Sequence, residues 1–286
     1  NDPISHRGIK KKMLAMARSL KTPLPQLTSR YLPQQLTSRY LHVAKAVHRA
    51  SETIVKGLTL NGLAVVPNFF RASAVDVDSS AFSSTSTTTT PLEPVCAKMR
   101  REAVTFFNND RFRVSQSTRW NTAEPPELEL YDKHNVHSMA IHHPEDTPTG
   151  PTMERYCREM GSALVTLINE NVPEVQLHDT SPINKLAVCT GDGSIYEQHL
   201  DNVGTDSRKL TCILYLNPDW KAACGGQFRV HSPLHDVSVS PLIDPVSDTL
   251  VLFWSDHLLH STLPSQAPSG LQDHRYALTL WLNGDM

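Results

Sequence analysis

The chain has 286 residues, of which 39% are hydrophobic and 20% are charged, so it can bury a sizeable core. Its apolar runs are no longer than residues 250–254, far short of the roughly 20 residues that cross a bilayer, and no hydrophobic signal segment stands at the start. The five cysteines are odd in number and contain no CxxC pair, which argues against a disulfide framework or a zinc ribbon. We therefore expect a globular, intracellular protein of the cytoplasm or nucleus, with no membrane contact.

Residues 1–51 form a strongly basic arm. They hold ten lysines and arginines against one acid, Asp2, although the whole chain has a net charge of −2. Three interpretations stay open for this arm: a solvated tail, an organelle-targeting peptide, or a contact surface for nucleic acid or another partner. Residues 52–286 carry the balancing excess of acid, so we expect no nucleic-acid contact there.

Residues 52–183 are interpreted as a support region of mixed structure. Leu58–Phe70 predicts a strand that ends at Pro67, and the Ser/Thr-rich stretch 72–91 predicts a loop insertion. Apolar residues recur at helical spacing in Pro94–Asn108 and in Thr152–Asn171. Each of these two segments therefore predicts an amphipathic helix packed on a sheet.

Between the two helical segments, Asp110–Gly150 is polar and rich in proline. It predicts a long loop, of a length that is often functional, for example as a lid. Four histidines lie in it, His134, His137, His142 and His143. Their spacing fits no common zinc pattern, so we expect solvated histidines here and no metal site.

From residue 184 onward, short segments of strand character alternate with turns, which predicts an antiparallel sandwich or jelly roll. The turn signals are Gly191-Asp192-Gly193, Asn217-Pro218-Asp219 and Cys224-Gly225-Gly226. The predicted strands are Lys185–Thr190, Leu210–Leu216, Gln227–His231, Val237–Ser240, Thr249–Trp254 and Tyr276–Leu282. The helices that precede this unit are expected to cover one of its faces.

Candidate chemical groups are concentrated in this last unit. His199 and Asp201 are two residues apart, so on an extended strand both side chains would point to the same side. His260 follows a predicted strand that a rolled sheet can return beside this pair. Two histidines and one carboxylate on an octahedral ion leave three open positions, the arrangement of non-heme Fe(II) oxygenases. Arg275 completes the ordered set, because a fixed guanidinium binds a carboxylate bidentately.

With these residues in this order, the segment from Lys185 to Met286 resembles the 2-oxoglutarate- and Fe(II)-dependent prolyl 4-hydroxylase family, above all its soluble hypoxia-sensing members. The shared motifs are HLDN at 199–202, TCILYLNPDW at 211–220, GGQFRV at 225–230, LVLFWSD at 250–256 and RYALTLW at 275–281. The resemblance implies a mainly β fold, a double-stranded β-helix or jelly roll flanked by α-helices. Residues 184–286 would then be the dioxygenase core.

The resemblance also implies an activity and a site. His199, Asp201 and His260 would ligate Fe(II), and Arg275 and Tyr215 would bind 2-oxoglutarate. The expected reaction uses O2 to hydroxylate a prolyl residue in a protein or peptide, with succinate and CO2 as co-products, ascorbate as reductant and oxygen sensing as a role. Two alternatives stay open: the same chemistry on another side chain or a small molecule, and a β-helix that has lost catalysis and serves as a binding module.

Several further positions are compared with the same family. Cys189 stands where the hypoxia-type members have a tyrosine, and Phe228 stands where a smaller aliphatic residue is usual. Arg208 matches an arginine on the substrate side of the pocket. Asn202 and Trp281 are expected to orient the metal ligands.

Overall fold

A computed structural model describes residues 42–71, 93–120, 124, 127–141, 150–178, 182–236 and 238–285. Most of the basic arm, the Ser/Thr-rich insertion, and His142 and His143 lie outside the described residues. Within these ranges, no helix has the length and apolar character needed to cross a membrane.

The described part of the chain contains three α-helices and eleven strands. The helices are α1 (His42–Asn61), α2 (Val95–Asn108) and α3 (Pro151–Asn171). The strands are β1 (Leu63–Val66), β2 (Arg113–Trp120), β3 (Leu128–Met139), β4 (Ile183–Cys189), β5 (Ser194–His199), β6 (Arg208–Tyr215), β7 (Phe228–Val230), β8 (Leu242–Ile243), β9 (Leu250–Trp254), β10 (His260–Ser265) and β11 (Arg275–Asn283).

The strands form two antiparallel sheets. The larger has seven strands in the order β1-β9-β6-β11-β4-β3-β2, and the smaller has four in the order β5-β10-β7-β8. Their inner faces meet in one apolar cluster, to which the larger sheet gives Tyr215 and Phe253 and the smaller gives Phe228 and Val230. This is a jelly roll, as the sequence predicts.

Strict alternation of side chains gives the larger sheet two different faces. On β11, Tyr276, Leu278, Leu280 and Leu282 belong to the core beneath the helices, whereas Arg275, Ala277, Thr279 and Trp281 line a cavity on the opposite face. A strand repeats every two residues, so alternate residues face opposite sides of the sheet. The outer face therefore stabilises the fold, and the inner face is available for chemistry.

The helices cover the outer face of the larger sheet. The prediction of α2 and α3 is confirmed to within one residue at their starts. The predicted strand Leu58–Phe70 is only partly right, because α1 continues to Asn61 and the strand is limited to β1. The expected end of the basic arm at residue 51 also falls inside α1, whose apolar side is buried from Val43 onward.

The prediction of a loop over Asp110–Gly150 is wrong. Residues 113–120 and 128–139 form the paired strands β2 and β3, and β3 pairs with β4 from Val136↔Cys189 to Met139↔Leu186. The hairpin carries polar residues on both faces and therefore lacks the alternation by which a half-buried strand is recognised. It extends the larger sheet at one edge and adds a wall to the inner cavity.

Five of the six strands predicted after residue 184 are confirmed with small shifts of their ends. Val237–Ser240 is wrong: residues 238–240 form a turn, and the strand β8 follows at Leu242–Ile243. The sequence did not predict β5 or β10. Both carry polar side chains toward the cavity, so neither has the apolar face that a core strand shows.

Leu278→Ala is expected to destabilise the protein strongly. Leu278 is fully buried on β11, where it pairs with Leu186 of β4 and Leu214 of β6. Removing its branched side chain leaves a cavity, which should lower the free energy of unfolding by about 2–5 kcal/mol. Leu271→Ala is the control, because Leu271 is 58% exposed and should change stability by less than about 0.5 kcal/mol. Urea unfolding followed by circular dichroism measures both, and equal effects would contradict the assigned core.

Candidate active site

The structure brings His199, Asp201 and His260 together at one end of the inner cavity. Antiparallel pairing of β5 with β10 sets His199 directly opposite His260. The sequence predicts Asp201 on the same strand as His199. In the structure β5 ends at His199, and Asp201 lies two residues beyond that end. One candidate ligand atom from each side chain lies within 4.8 Å of the others. Among the described residues, no other group of three His, Cys, Asp or Glu side chains could hold a metal ion.

Backbone carbonyls fix the orientation of both imidazoles. Nδ1 of His199 lies 2.7 Å from the carbonyl oxygen of Glu197, and Nδ1 of His260 lies 2.9 Å from that of Leu258. A carbonyl oxygen only accepts, so Nδ1 carries the proton in each ring. Each Nε2 is therefore left with a lone pair, and it is Nε2 that faces Asp201.

Two donors hold the carboxylate of Asp201. Thr211 Oγ1 donates to Oδ2 over 2.7 Å, and Trp281 Nε1 donates to the same oxygen over 3.1 Å. The other oxygen, Oδ1, lies 3.4 Å from Nε2 of His199 and 4.0 Å from Nε2 of His260. Burial opposes the charge on Asp201, but its contacts with the two histidines and Thr211 hold the pKa of the carboxyl well below its usual range. The side chain is therefore ionised at neutral pH.

His260 is the most enclosed of the three candidate ligands. Its ring stacks on Phe228 with the centroids 4.9 Å apart and contacts Phe253 at 4.7 Å. Burial lowers the pKa of His260 to about 4, although the nearby carboxylate of Asp201 acts in the opposite direction. The ring is thus neutral at neutral pH, which is the form that binds a metal ion.

Arg275 lies in the same cavity, at the start of β11. Its guanidinium is buried, donates from Nε to the carbonyl oxygen of Gly226 over 2.8 Å, and lies 5.0 Å above the ring of Tyr215. A Cβ atom on Gly226 would come within 2.7 Å of Arg275 Cδ, and Gly226 has φ +74°, so this approach requires glycine. Within the described residues, Arg275 forms no ion pair with a carboxylate.

Tyr215 and Cys189 flank this arginine. The hydroxyl of Tyr215 is buried and has no hydrogen-bond partner in the described structure. Cys189 pairs across the strands with Arg275, and its sulfur lies 3.9 Å from Nη1 of the guanidinium. A buried cation without a carboxylate and a buried hydroxyl without a hydrogen-bond partner define a place for an anion with hydrogen-bonding oxygens.

Arg208 and Asn202 are placed by the loop that follows Asp201. Arg208 lines the cavity, but Asp206 neutralises it through contacts of 2.6 and 2.9 Å, and its guanidinium lies 5.5 Å from the ring of Trp281. Asn202 donates to the backbone carbonyls of Asp206 and Arg208 and accepts from the backbone of Gly204. Asn202 therefore shapes this loop and does not contact the carboxylate of Asp201.

The cavity encloses about 740 Å³ and contains residues that the sequence analysis did not identify. Lys133, Lys185, Tyr196 and Thr211 all line it or contact a candidate ligand. The sequence could have indicated Lys185, because it is a charged residue on the same strand face as Ala187 and Cys189 in an otherwise apolar segment. It could not have indicated Lys133, because the segment around Lys133 predicts a loop.

A jelly roll with two histidines and one carboxylate at the mouth of its cavity, and a buried unpaired arginine on the same sheet face, is the architecture of the 2-oxoglutarate-dependent non-heme iron oxygenases. The sequence profile of the 2OG-Fe(II) oxygenase superfamily matches residues 184–283.

Curated relatives of this segment are prolyl hydroxylases. It is similar to the hypoxia-inducible factor prolyl hydroxylase of Caenorhabditis elegans, with 38% identity over 99 residues, which is 34% of this chain and 12% of the relative. It is also similar to prolyl hydroxylase EGLN3 of Homo sapiens, with 38% identity over 98 residues, 34% of this chain and 38% of the relative. The matched region therefore spans well under half of the length of either relative.

Solved structures extend the similarity of fold beyond this segment. A prolyl hydroxylase from Trichoplax adhaerens, in complex with a hypoxia inducible factor oxygen degradation domain peptide fragment, superposes with a TM-score of 0.61 and 24% identity, covering 86% of this chain and 94% of that one. A Pseudomonas putida prolyl-4-hydroxylase gives a TM-score of 0.54 at 20% identity, covering 82% and 97%. At these identities the comparison shows a shared fold.

Proposed function

We propose that this chain is a 2-oxoglutarate- and Fe(II)-dependent dioxygenase that hydroxylates a prolyl residue in a protein substrate and forms succinate and CO2. The observation that carries the proposal is the joint placement, in one cavity, of three converging ligand atoms and a buried guanidinium that lacks a carboxylate. The alternatives of a different acceptor and of an inactive binding module are not favoured by the relatives, which are prolyl hydroxylases.

The site residues fit a divalent cation. Nε2 of His199, Nε2 of His260 and Oδ1 of Asp201 all present lone pairs to the same small space. Two imidazole nitrogens and one carboxylate oxygen that converge in this way are a donor set for a divalent metal ion. These three residues would hold Fe(II), which when bound supplies the activation of O2.

The guanidinium end of the cavity fits 2-oxoglutarate. Arg275 would bind the far carboxylate of the co-substrate, and Tyr215 would donate its hydroxyl to it, which gives the buried guanidinium a counter-charge and the buried hydroxyl an acceptor. Because Gly226 accepts the Nε proton, the terminal nitrogens are left to face the ligand. Arg275 and Tyr215 thereby hold the co-substrate in one orientation relative to the ligand atoms.

The remaining residues of the site orient the candidate metal ligands and exclude water. Thr211 and Trp281 hold Oδ2 of Asp201, so the carboxylate cannot rotate away from the two imidazoles. Phe228 and Phe253 pack on the ring of His260 and keep water from this side of the site. The carbonyl of Leu258 keeps the proton of His260 on Nδ1. A dry, fixed site of this kind directs the reaction to the bound substrate.

The protein context follows from the same proposal. Residues 184–286 form the dioxygenase core, and the described parts of residues 42–183 support it. Ascorbate serves as reductant, the protein acts inside the cell, in the cytoplasm or nucleus, and oxygen sensing is its biological role. All five cysteines are free and buried, which fits a reducing compartment.

The test measures succinate formed from 2-oxoglutarate by the full chain with Fe(II), ascorbate and O2, with and without pools of proline-containing peptides. We expect peptides to stimulate succinate formation and to gain one oxygen atom by mass spectrometry at a prolyl residue. Succinate with no hydroxylated peptide would move the proposal to another acceptor. A folded, iron-loaded protein that forms no succinate would refute the enzyme assignment.

Tyr215→Phe is expected to weaken 2-oxoglutarate binding without loss of stability. The buried hydroxyl lacks a partner in the described structure, so its removal costs no internal hydrogen bond and relieves an unfavourable burial. A lost hydrogen bond to a charged ligand is worth about 1.5–3 kcal/mol, or roughly 10- to 150-fold in Kd. Isothermal titration under argon with Fe(II) present measures the Kd, and an unchanged value would remove Tyr215 from the co-substrate site.

A further inference from the structure

Two lysines line the inner cavity and have no role in the chemistry described above. Lys133 comes from β3 of the hairpin and Lys185 from the neighbouring strand β4. Both reach toward the same aromatic ring, since Nζ of Lys133 lies 4.5 Å and Nζ of Lys185 lies 5.9 Å from the centroid of Tyr196. Tyr196 stands on β5, three residues before His199.

Neither ammonium group has a carboxylate partner among the residues that the structure describes. Nζ of Lys185 donates one hydrogen bond, to Ser115 Oγ over 2.9 Å, although an ammonium has three protons to donate. Burial and the charge of Lys185 lower the pKa of Lys133 to about 8, so it is still largely protonated at neutral pH. Asp201 and Glu197 act in the opposite direction on Lys133, and Asp201 does so on Lys185, but none of these carboxylates is in ion-pair contact with either lysine. Two like charges placed together with no carboxylate in direct contact are unfavourable for the free protein.

The charges of the assembled site show what these lysines lack. Fe(II) with the carboxylate of Asp201 retains one positive charge, and Arg275 provides a second. The two carboxylates of 2-oxoglutarate neutralise both. Arg208, the other cation of the cavity wall, is already paired with Asp206. Neither Lys133 nor Lys185 is thus given an ion-pair partner when the metal ion and the co-substrate are bound, although the charge of Glu197 acts on Lys133 without forming an ion pair.

We propose that Lys133 and Lys185 bind a carboxylate of the substrate, supplied by an aspartate or glutamate close to the target proline. This inference rests on the proposed function and defines its substrate class. The co-substrate already has its own partners at Arg275 and Tyr215, so the lysines face what enters beside it. Tyr196 and Ser115 hold the two side chains toward the cavity, so the acidic group is recognised at a fixed distance from the metal ligands.

The experiment compares proline-centred peptide pools in which each flanking position in turn is Glu, Gln or Lys, with the other positions neutral. Hydroxylation is read by mass spectrometry, and binding of the best peptide is read by fluorescence anisotropy under argon with Fe(II) and 2-oxoglutarate, where no turnover occurs. A Glu peptide is expected to bind at least about tenfold more tightly than its Gln counterpart, as a desolvated charge pair does.

The variants are Lys133→Met with Lys185→Met, which keep side-chain length and remove charge, and Lys133→Glu. The double variant should lose the preference for Glu over Gln, and Lys133→Glu should shift it toward Lys. Lys221→Met is the matched control, because Lys221 is exposed and outside the cavity. It should behave as wild type. Succinate formed without peptide reports whether iron and co-substrate sites are intact in each variant.

Each outcome separates this inference from the function on which it rests. Hydroxylation of all pools with equal efficiency, or a Glu preference that survives in the double variant, would overturn the inference and leave the prolyl hydroxylase standing. Free proline has a carboxylate of its own that could bind to these lysines. If the protein hydroxylates free proline, and the double variant loses this activity, the substrate is a small molecule and the peptide assignment is overturned. No succinate in any pool would refute the proposed function itself.

Discussion

Replacing Asp201 with asparagine is expected to abolish turnover while the protein stays folded. Asparagine keeps the size of the side chain, and its amide oxygen can still accept from Thr211 and Trp281. It lacks the negative charge that the two neutral imidazoles cannot replace. We expect the affinity for Fe(II) to fall at least about 100-fold, more than the loss seen when an outer contact of a ligand is removed, and succinate formation to fall with it.

Asp206→Asn is the matched control for this change. Asp206 lies five residues further along the same loop and pairs with Arg208, but it is not one of the three converging groups. Anaerobic titration with Fe(II) and a succinate assay at saturating metal separate lost binding from lost chemistry. Wild-type succinate formation by the Asp201 variant would rule out the carboxylate as a ligand.

The strands of the core could be predicted because burial on both faces leaves a clear mark. β9 is apolar throughout, and every second residue of β11 from Tyr276 to Leu282 is apolar and buried. The same holds for α2 and α3, whose apolar residues recur at the spacing that covers one side of a helix. In these elements local pattern and tertiary packing require the same residues.

The strands that build the site escaped prediction for a related reason. β5 gives the cavity Tyr196, Gln198 and His199, and β10 gives it His260 and Thr262, in place of aliphatic side chains. β10 also contains Pro264 and pairs with β5 through irregular register. The demands of the site thus remove the pattern by which such strands are recognised.

The candidate site shows the same division. The two histidines, the aspartate and the arginine could be predicted from their identity and their order in the sequence. Two histidines and one carboxylate with open positions are typical of non-heme Fe(II) oxygenases. What could not be predicted is how each side chain is held: Asp201 projects from a loop, and its donors Thr211 and Trp281 come from two strands of the opposite sheet. Lys133 reaches the cavity only through pairing of β3 with β4, a contact between distant segments that local sequence does not encode.

Arg275→Met is expected to separate stability from co-substrate binding. In the free protein the guanidinium is a buried cation that contacts the carbonyl oxygen of Gly226, the sulfur of Cys189 and Tyr215, and among the described residues it has no carboxylate partner. Methionine fills much of the same space without charge, so the free energy of unfolding should stay the same or rise. The binding free energy of 2-oxoglutarate should weaken by about 2–5 kcal/mol, which raises the Kd roughly 30-fold or more, because a buried carboxylate loses its partner.

Three measurements on the same preparation test this expectation: urea unfolding, anaerobic titration with Fe(II), and titration with 2-oxoglutarate at saturating Fe(II). Iron affinity should change little, because Arg275 is not among the three converging ligands. Arg229→Met is the control, since Arg229 is an exposed cation on β7, paired opposite Ser261. It should leave all three quantities unchanged. Loss of stability with unaltered 2-oxoglutarate affinity would show that Arg275 serves the fold. The far carboxylate would then need another cation. Among the described residues, Lys133 and Lys185 are the remaining cations of the cavity that form no ion pair.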